Sequence, residues 1–178
     1  MTSVLGAQSG RAGVSFLGSE QVEVLRFFAA DVIRYVTLGM ARYAMADPGS
    51  ELVAQHGPRA ELVLSVREAR DSVLRRLAVL AASPVVEGVV VTAGAGLDLG
   101  EPLWDGSRFT AVLVGEPGGL VPDLPLDGDE PVRFLPLLPM TPNEAAWKRV
   151  HGAAALEERW LAQEIDLRDP LRPEVSLR

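Results

Sequence analysis

The chain has two imidazoles in 178 residues, His56 and His151, and it has no cysteine. That composition excludes thiol nucleophiles, disulfides, thiolate-held zinc and iron–sulfur clusters. His56 sits in a proline- and glycine-rich loop and His151 stands beside Gly152. Neither has a serine or acid at a recognisable triad spacing, and no G-x-S-x-G elbow occurs. A metal site would have to bring both histidines together from distant segments. The adjacent carboxylates Glu157 and Glu158 fall on the exposed side of a helical pattern, while Asp127 and Asp129 bracket Gly128 in a turn. An enzyme on this chain, a hydrolase or transferase, would need scattered carboxylates and His56 or His151. The run Gly94-Ala95-Gly96-Leu97-Asp98-Leu99-Gly100 invites a dinucleotide reading. Leu99 stands where the third glycine is needed, and Glu101-Pro102-Leu103 is a poor helix start. A turn is expected there, and neither a cofactor nor a metal.

Charge is more informative. The net of −7 lies wholly in the second half, since residues 1–89 hold nine acids and nine arginines. Between 98 and 130, Asp98, Glu101, Asp105, Glu116, Asp123, Asp127, Asp129 and Glu130 face Arg108 alone. Nucleic acid needs a basic face and is an unexpected partner. Such a cluster is either a solvated loop or a surface that steers a basic protein. Trp104, inside the acidic stretch, either covers a sheet end or anchors an interface. Asp105, Asp123, Asp127 and Asp129 are the acids singled out for partner binding. The first thirteen residues lack a signal-peptide pattern and no stretch supplies an apolar membrane span, so a cytoplasmic location is expected.

The elements that must position these groups read as one mixed α/β domain over 1–178. Ser19 caps a short helix through Ala29, with Val22, Leu25 and Phe28 on one stripe. Val32 to Leu38 is a strand, and 47–58 a loop. Ala60 to Val66 alternates as a half-buried strand, with Leu62, Leu64 and Val66 on one side and Glu61 and Ser65 on the other. Val73, Leu74, Leu77, Leu80 and Ala81 recur at helical spacing, giving a helix from Glu68 that Pro84 stops. Gly88 to Thr92, Phe109 to Val114 and Val132 to Leu138 are apolar strands, the last at an edge or bulge because of Pro136. Thr141-Pro142-Asn143-Glu144 is a capping box whose helix turns Trp147 and Val150 inward and breaks at Gly152. Ala153 to Gln163 is a second helix, presenting Leu156 and Trp160. The ends, 1–18 and 171–178, are expected to be flexible or extended. No linker is rich enough in Gly, Ser and Pro to split the chain.

In this order the segments resemble the Suppressor of fused domain. Tyr35-Val36-Thr37-Leu38-Gly39-Met40 resembles its Y-[IV]-[ST]-[FYL]-G-[LM]-S signature. Ala60 to Val66 resembles its [FV]-E-L-T-F-R strand, and Leu77-Ala78-Val79-Leu80-Ala81 its L-x-x-L-A helix. Glu101-Pro102-Leu103, Ser107-Arg108-Phe109, Val132 to Glu144 and Asp166-Leu167-Arg168-Asp169 follow in the family's order, so the likeness spans about 34–170. It implies an α+β domain with a mixed sheet of five to six strands, helices packed on it, and no catalytic site. The family's two-lobed animal member holds a transcription factor by clamping a peptide as an added strand; this chain has the length of one lobe. Single-domain bacterial relatives are similar to immunity proteins that block a toxin, and the acids at 98–130 would suit a basic one. Tyr43 lies beside the place of the family's peptide-contacting aromatic. Binding is therefore expected by strand addition at an open edge or, more readily, by charge-steered docking.

Overall fold

β-branched and aromatic residues recur through 22–38, and pairing turns most of that stretch into sheet. The computed structural model describes residues 5–14, 21–45 and 57–178. His56, Ser19 and most of the 47–58 loop lie outside these residues. In chain order the elements are β1 (Ala7–Val14), β2 (Val22–Ala29), β3 (Val32–Leu38), a 3-10 turn (Met40–Arg42), β4 (Arg59–Val66), α1 (Ser72–Glu87), β5 (Gly96–Asp98), β6 (Ala111–Val114), β7 (Leu124–Leu126), β8 (Asp129–Met140), α2 (Pro142–His151) and α3 (Ala153–Ala162). The strands form one sheet of eight in the order β1-β2-β3-β4-β8-β6-β5, with β7 added on β8. Only β4 and β8 run parallel. The architecture is the expected mixed α+β, with more strands than the five to six read from sequence, because short edge and hairpin strands give weak patterns.

Where a helix was expected through Ala29, the chain forms β2. It hairpins onto β3 through Ala30 and Asp31, with Ala29 opposite Val32. Ala30 takes φ +54° without glycine or asparagine, so the turn leaves no compositional mark. Residues 88–92 are also not a strand; Val91 is buried, and Val89 and Val90 pack on the core without entering a ladder. Their apolar run records burial and not pairing.

The sheet is covered on both faces. On one, α1 packs Val73, Leu77 and Ala81 over Tyr35, Leu62, Leu64, Leu137 and Val112. On the other, α2, α3 and the C-terminal tail bury Ala111, Leu113 and Met140 under Leu156, Trp160 and Val175. β4 is buried on both sides rather than half-buried, because Leu5, Phe27, Val36, Val121 and Phe134 enclose Val63 on the face away from α1: Glu61 and Val63 are buried like Leu62 and Leu64. Glu61 is satisfied by the Thr37 hydroxyl at 2.6 Å and the Gly39 and Ala41 amides at 2.8 and 3.1 Å, which meets the need of a buried carboxylate for donors.

Two prolines behave differently from expectation. Pro84 does not stop α1, which runs to Glu87 and closes at Gly88 (φ +69°). The Leu80 carbonyl that loses its amide to Pro84 accepts instead from the Ser83 hydroxyl at 2.8 Å. Pro136 lies at neither an edge nor a bulge, because β8 is central. Its carbonyl accepts from the Gly115 amide just past the last β6 pair, Val114 with Leu137. Backbone groups alternate sides along a strand, so the missing N–H falls where β6 ends and β4 pairing is untouched. Val150, expected inward, is 79% exposed.

The capping box forms: the Glu144 amide donates to the Thr141 hydroxyl and the Thr141 amide to the Glu144 carboxylate. Glu144 is fully buried and is held by both guanidinium nitrogens of Arg172, at 2.8 and 2.7 Å. The Val175 amide and the Trp160 indole donate to the same carboxylate, and Arg172 also donates to the Pro139 carbonyl at 2.7 Å. The guanidinium lies over the Phe109 ring, 4.7 Å from its centre. Residues 171–178 are thus extended and docked.

Burial pushes the Glu144 carboxyl up, but the bonds from Arg172, Thr141 and Val175 outweigh it and hold the group below the ordinary carboxylate range. A folded value below the unfolded one (roughly 4.3) gives stability that is complete above that pH. It is lost as pH falls through the folded value. Arg172→Met should cost about 3–5 kcal/mol in urea denaturation at pH 7, since it leaves a buried charge alone. The variant should also lose the wild-type stability decline that sets in as pH falls below the ordinary carboxylate range.

Candidate functional site

β5 owes its shortness to glycine. Gly94 (φ +82°) and Gly100 (φ +67°) adopt left-handed turns on either side of it, and the Asp98 carboxylate accepts the Gly100 amide at 3.0 Å. The glycine run is therefore turn and strand, with no helix after it to hold a pyrophosphate. β5 pairs with β6 through Gly96–Leu113, Leu97–Val112 and Asp98–Ala111. The Leu99 amide donates to Thr110 and the Val114 amide to Ala95. By alternation, the amides and carbonyls of Gly96 and Asp98 point to the other edge. Among the described residues no strand pairs with that edge.

A groove flanks the edge on each face. On the α1 side, a cavity of about 300 Å³ is floored by Leu80, Val89, Leu97 and Leu99 and rimmed by Arg76 and Glu87. On the α2 side, one of about 250 Å³ is floored by Ala111, Met140 and Ala145 and rimmed by Lys148 and Arg149. Gly96 faces the second: a Cβ there would meet Lys148 Nζ at 3.3 Å and Met140 Cε at 3.6 Å. The bare backbone lets the chain's single lysine lie against the strand.

The residues singled out by sequence do not converge. Trp104 is 3% exposed and packs edge-on to Phe109 at 5.5 Å, so it covers the sheet and offers no ring to a partner. Tyr43 is 40% exposed and lines a crevice beside Ala81, Ala82 and Val85 of α1. The acidic run divides. Asp98 pairs beside Ala111, which faces Met140 at one end of β8, while Arg59 faces Val132 near the other end. Eight residues of strand separate these ends by roughly 25 Å. Asp98, Glu101 and Asp105 belong to the β5 end. Asp123 and Asp127 lie exposed around β7 at the far end, where Asp129 pairs with Arg59 at 3.4 Å. Arg59 in turn donates to the Ala41 and Arg42 carbonyls, which gives Asp129 a part in holding the Met40–Arg42 turn.

His151 is exposed and stacked on Trp147 at 4.1 Å, and Arg159 lies over the same indole. Trp147 is thus half-buried beneath its neighbours. Among the described residues no three His, Asp or Glu side chains gather where they could hold a metal. The carboxylates held below their ordinary range are Glu144 and Asp166. For Asp166, burial raises the value, and the bonds from Arg168 and Arg67 overcome it. Both lie in the tail's packing and outside the grooves. Lys148 and Arg149 drew no attention as site residues in the sequence. The available signal was a lone lysine beside an arginine in the last turn of a well-capped helix.

The structure is an α+β domain with a mixed sheet covered on both faces and a short, glycine-bounded β5 edge flanked by a groove on each side. The family model for Suppressor of fused protein (SUFU) matches residues 18–173, and the chain belongs to this family. Among solved structures, the Suppressor of fused homologue from Neisseria gonorrhoeae FA 1090 superposes with a TM-score of 0.72 at 19% identity, over 99% of this chain and 93% of that one. The Sufu–Fu complex gives 0.67 at 13% identity, over 98% and 88%. Drosophila Suppressor of Fused gives 0.58 at 10%, over 89% of this chain and 44% of that one. Among curated proteins none matches. No described helix is long and apolar enough to cross a membrane.

The edge has a direct signature in solution. In native-state hydrogen exchange followed by NMR, the Gly96 and Asp98 amides should exchange at least about a hundredfold faster than those of Leu99 and Val114, which donate to carbonyls across the hairpin. Equal protection would mean that the edge is covered.

Proposed function

We propose that this domain binds another protein by accepting an extended segment of it as an added strand on β5. The observation that carries the reading is a free edge with a groove on each face. Successive side chains of a strand point to opposite faces, so an added segment would place alternate residues in the two grooves. Main-chain hydrogen bonds would supply affinity and the grooves selectivity. The Sufu–Fu complex among the similar structures supports a protein as the ligand. Charge-steered docking belongs to the same picture in a narrower form. Of the acids, Asp98, Glu101 and Asp105 lie at the β5 end and favour a partner whose surrounding surface is basic. Glu101 is already engaged by Arg76, so Asp98 and Asp105 carry most of the free charge. Asp123 and Asp127, with Asp129 behind them, would meet a partner only if it spanned the length of β8. A toxin held inactive by an immunity protein is a partner of this kind, and the domain would block it by occupancy alone.

Asp98→Pro tests the reading, because it removes one donor from the free edge and none from the β6 ladder. Panning a phage-displayed library of random dodecapeptides on the native domain should enrich extended sequences. These should lose binding to the Asp98→Pro protein at least about tenfold while its urea midpoint changes little. Peptides that bind both proteins equally would defeat strand pairing. Replacing Asp105 by lysine should slow their association and reduce its salt dependence.

A further inference from the structure

Lys148 is half-buried at the α2 groove, and no carboxylate within the described residues pairs with it. Arg149 uses its Nε on the Ala145 carbonyl at 3.4 Å and makes no ion pair either. Asp98 lies on the same face, two residues from Gly96, but its carboxylate takes the Gly100 amide and reaches neither cation. Elsewhere in the molecule most arginines meet an acid: Arg11 with Glu23, Arg26 with Asp71, Arg67 with Asp166 and Arg172 with Glu144. Lys148 and Arg149, neither in an ion pair among the described residues, stand together at the last turn of α2, against the open edge of β5. On the α1 face the groove is different, with an aliphatic floor and Glu87 at its rim.

Resting on the strand-pairing reading above, we infer that the captured segment carries an acidic side chain, Asp or Glu, on the face turned to α2. That carboxylate sits between Lys148 and Arg149, and the residues on either side of it in sequence turn aliphatic side chains into the α1 groove. The absent Cβ at Gly96 is part of the site, because it lets Lys148 Nζ lie close to the paired backbone. The carboxylate would convert two solvated cations into charge-assisted hydrogen bonds in a partly enclosed groove. The opposite polarity would set a cation against Lys148 and be rejected. The body of the partner can still be basic, since its flanks face Asp98 and Asp105 and only one side chain enters this groove.

Three synthetic peptides test this: Gly-Ser-Val-Thr-Val-Xaa-Val-Thr-Ser-Gly, with Xaa as Glu, Gln or Lys, each titrated into the ¹⁵N-labelled domain. With the Glu peptide the Gly96 and Asp98 amides should shift, and its Kd should be about five- to tenfold below that of the Gln peptide. The Lys peptide should be weaker still. In the double variant Lys148→Glu, Arg149→Glu the order should invert; both side chains are on the helix surface, and an unchanged remainder of the spectrum checks the fold. Should that variant not fold, the Glu, Gln and Lys series on the native domain decides by itself. If the two edge amides shift equally with Glu and Lys peptides, the carboxylate inference is overturned and strand pairing stands. If no peptide moves them, or they are protected because two copies pair through β5, both fail.

Discussion

One buried ion pair, Arg172 with Glu144, ties together four parts of the chain that also share an apolar cluster. It joins the end of β8 through Pro139, the first turn of α2 through the capping box, α3 through Trp160, and the tail through Val175. Burying two charges is expensive, and it is tolerated only when each lone pair and N–H finds a partner. Here the carboxylate has all it can accept, while the guanidinium gains an aromatic face and leaves only its Nε without a hydrogen bond. An apolar replacement of equal volume could fill the space, but it would not fix the direction in which α2 leaves the sheet. That direction sets where Lys148 and Arg149 stand relative to β5, so the α2-side groove inherits its shape from a contact buried beneath it.

Of the two ends of the sheet, β1 and β5, the β5 end shows how an unpaired strand can limit what pairs with it. β5 is three residues long, bounded by left-handed glycines and recessed between two helices. A long flat edge would template other chains indiscriminately. A short one with walls admits only a segment whose side chains fit both faces, so length and recess act together as the filter. Of the exposed valines of α1, Val79 lines the α1-side groove, while Val85 and Val86 lie outside it.

Much of the fold was legible because it obeys local rules. The Thr141–Glu144 capping box, the break at Gly152 and the Leu156–Trp160 stripe are set by nearest neighbours, and all three form. The failures share one cause, which is that tertiary partners decided the outcome. β2 carries a residue spacing compatible with a helix, and only pairing with β1 and β3 makes it a strand. Ala30 turns without a turn residue. Pro84 and Pro136 are breakers in isolation, yet Ser83 and the end of β6 neutralise them. The candidate site was less legible still. The acids cluster in sequence but are separated along β8, Trp104 takes the covering role of the two open to it, and Lys148 and Arg149 are unremarkable until α2 is laid beside β5. The place of β5 was not legible, since three residues between glycines look like a loop.

The prolines of β8 have a bearing on how the chain behaves before it folds. Residues 131–140 are among its most apolar stretches, and an unfolded molecule would present them to other unfolded molecules. Pro131, Pro136 and Pro139 lack the N–H that stacked strands would use and so disfavour such pairing. In the native sheet Pro136 meets the place where β6 stops, and Pro139, whose carbonyl is taken by Arg172, lies beyond the last pair with β4. The central strand is in this way poor material for fibrils and sound material for its own domain, a distinction that depends on two neighbours ending at the right residue.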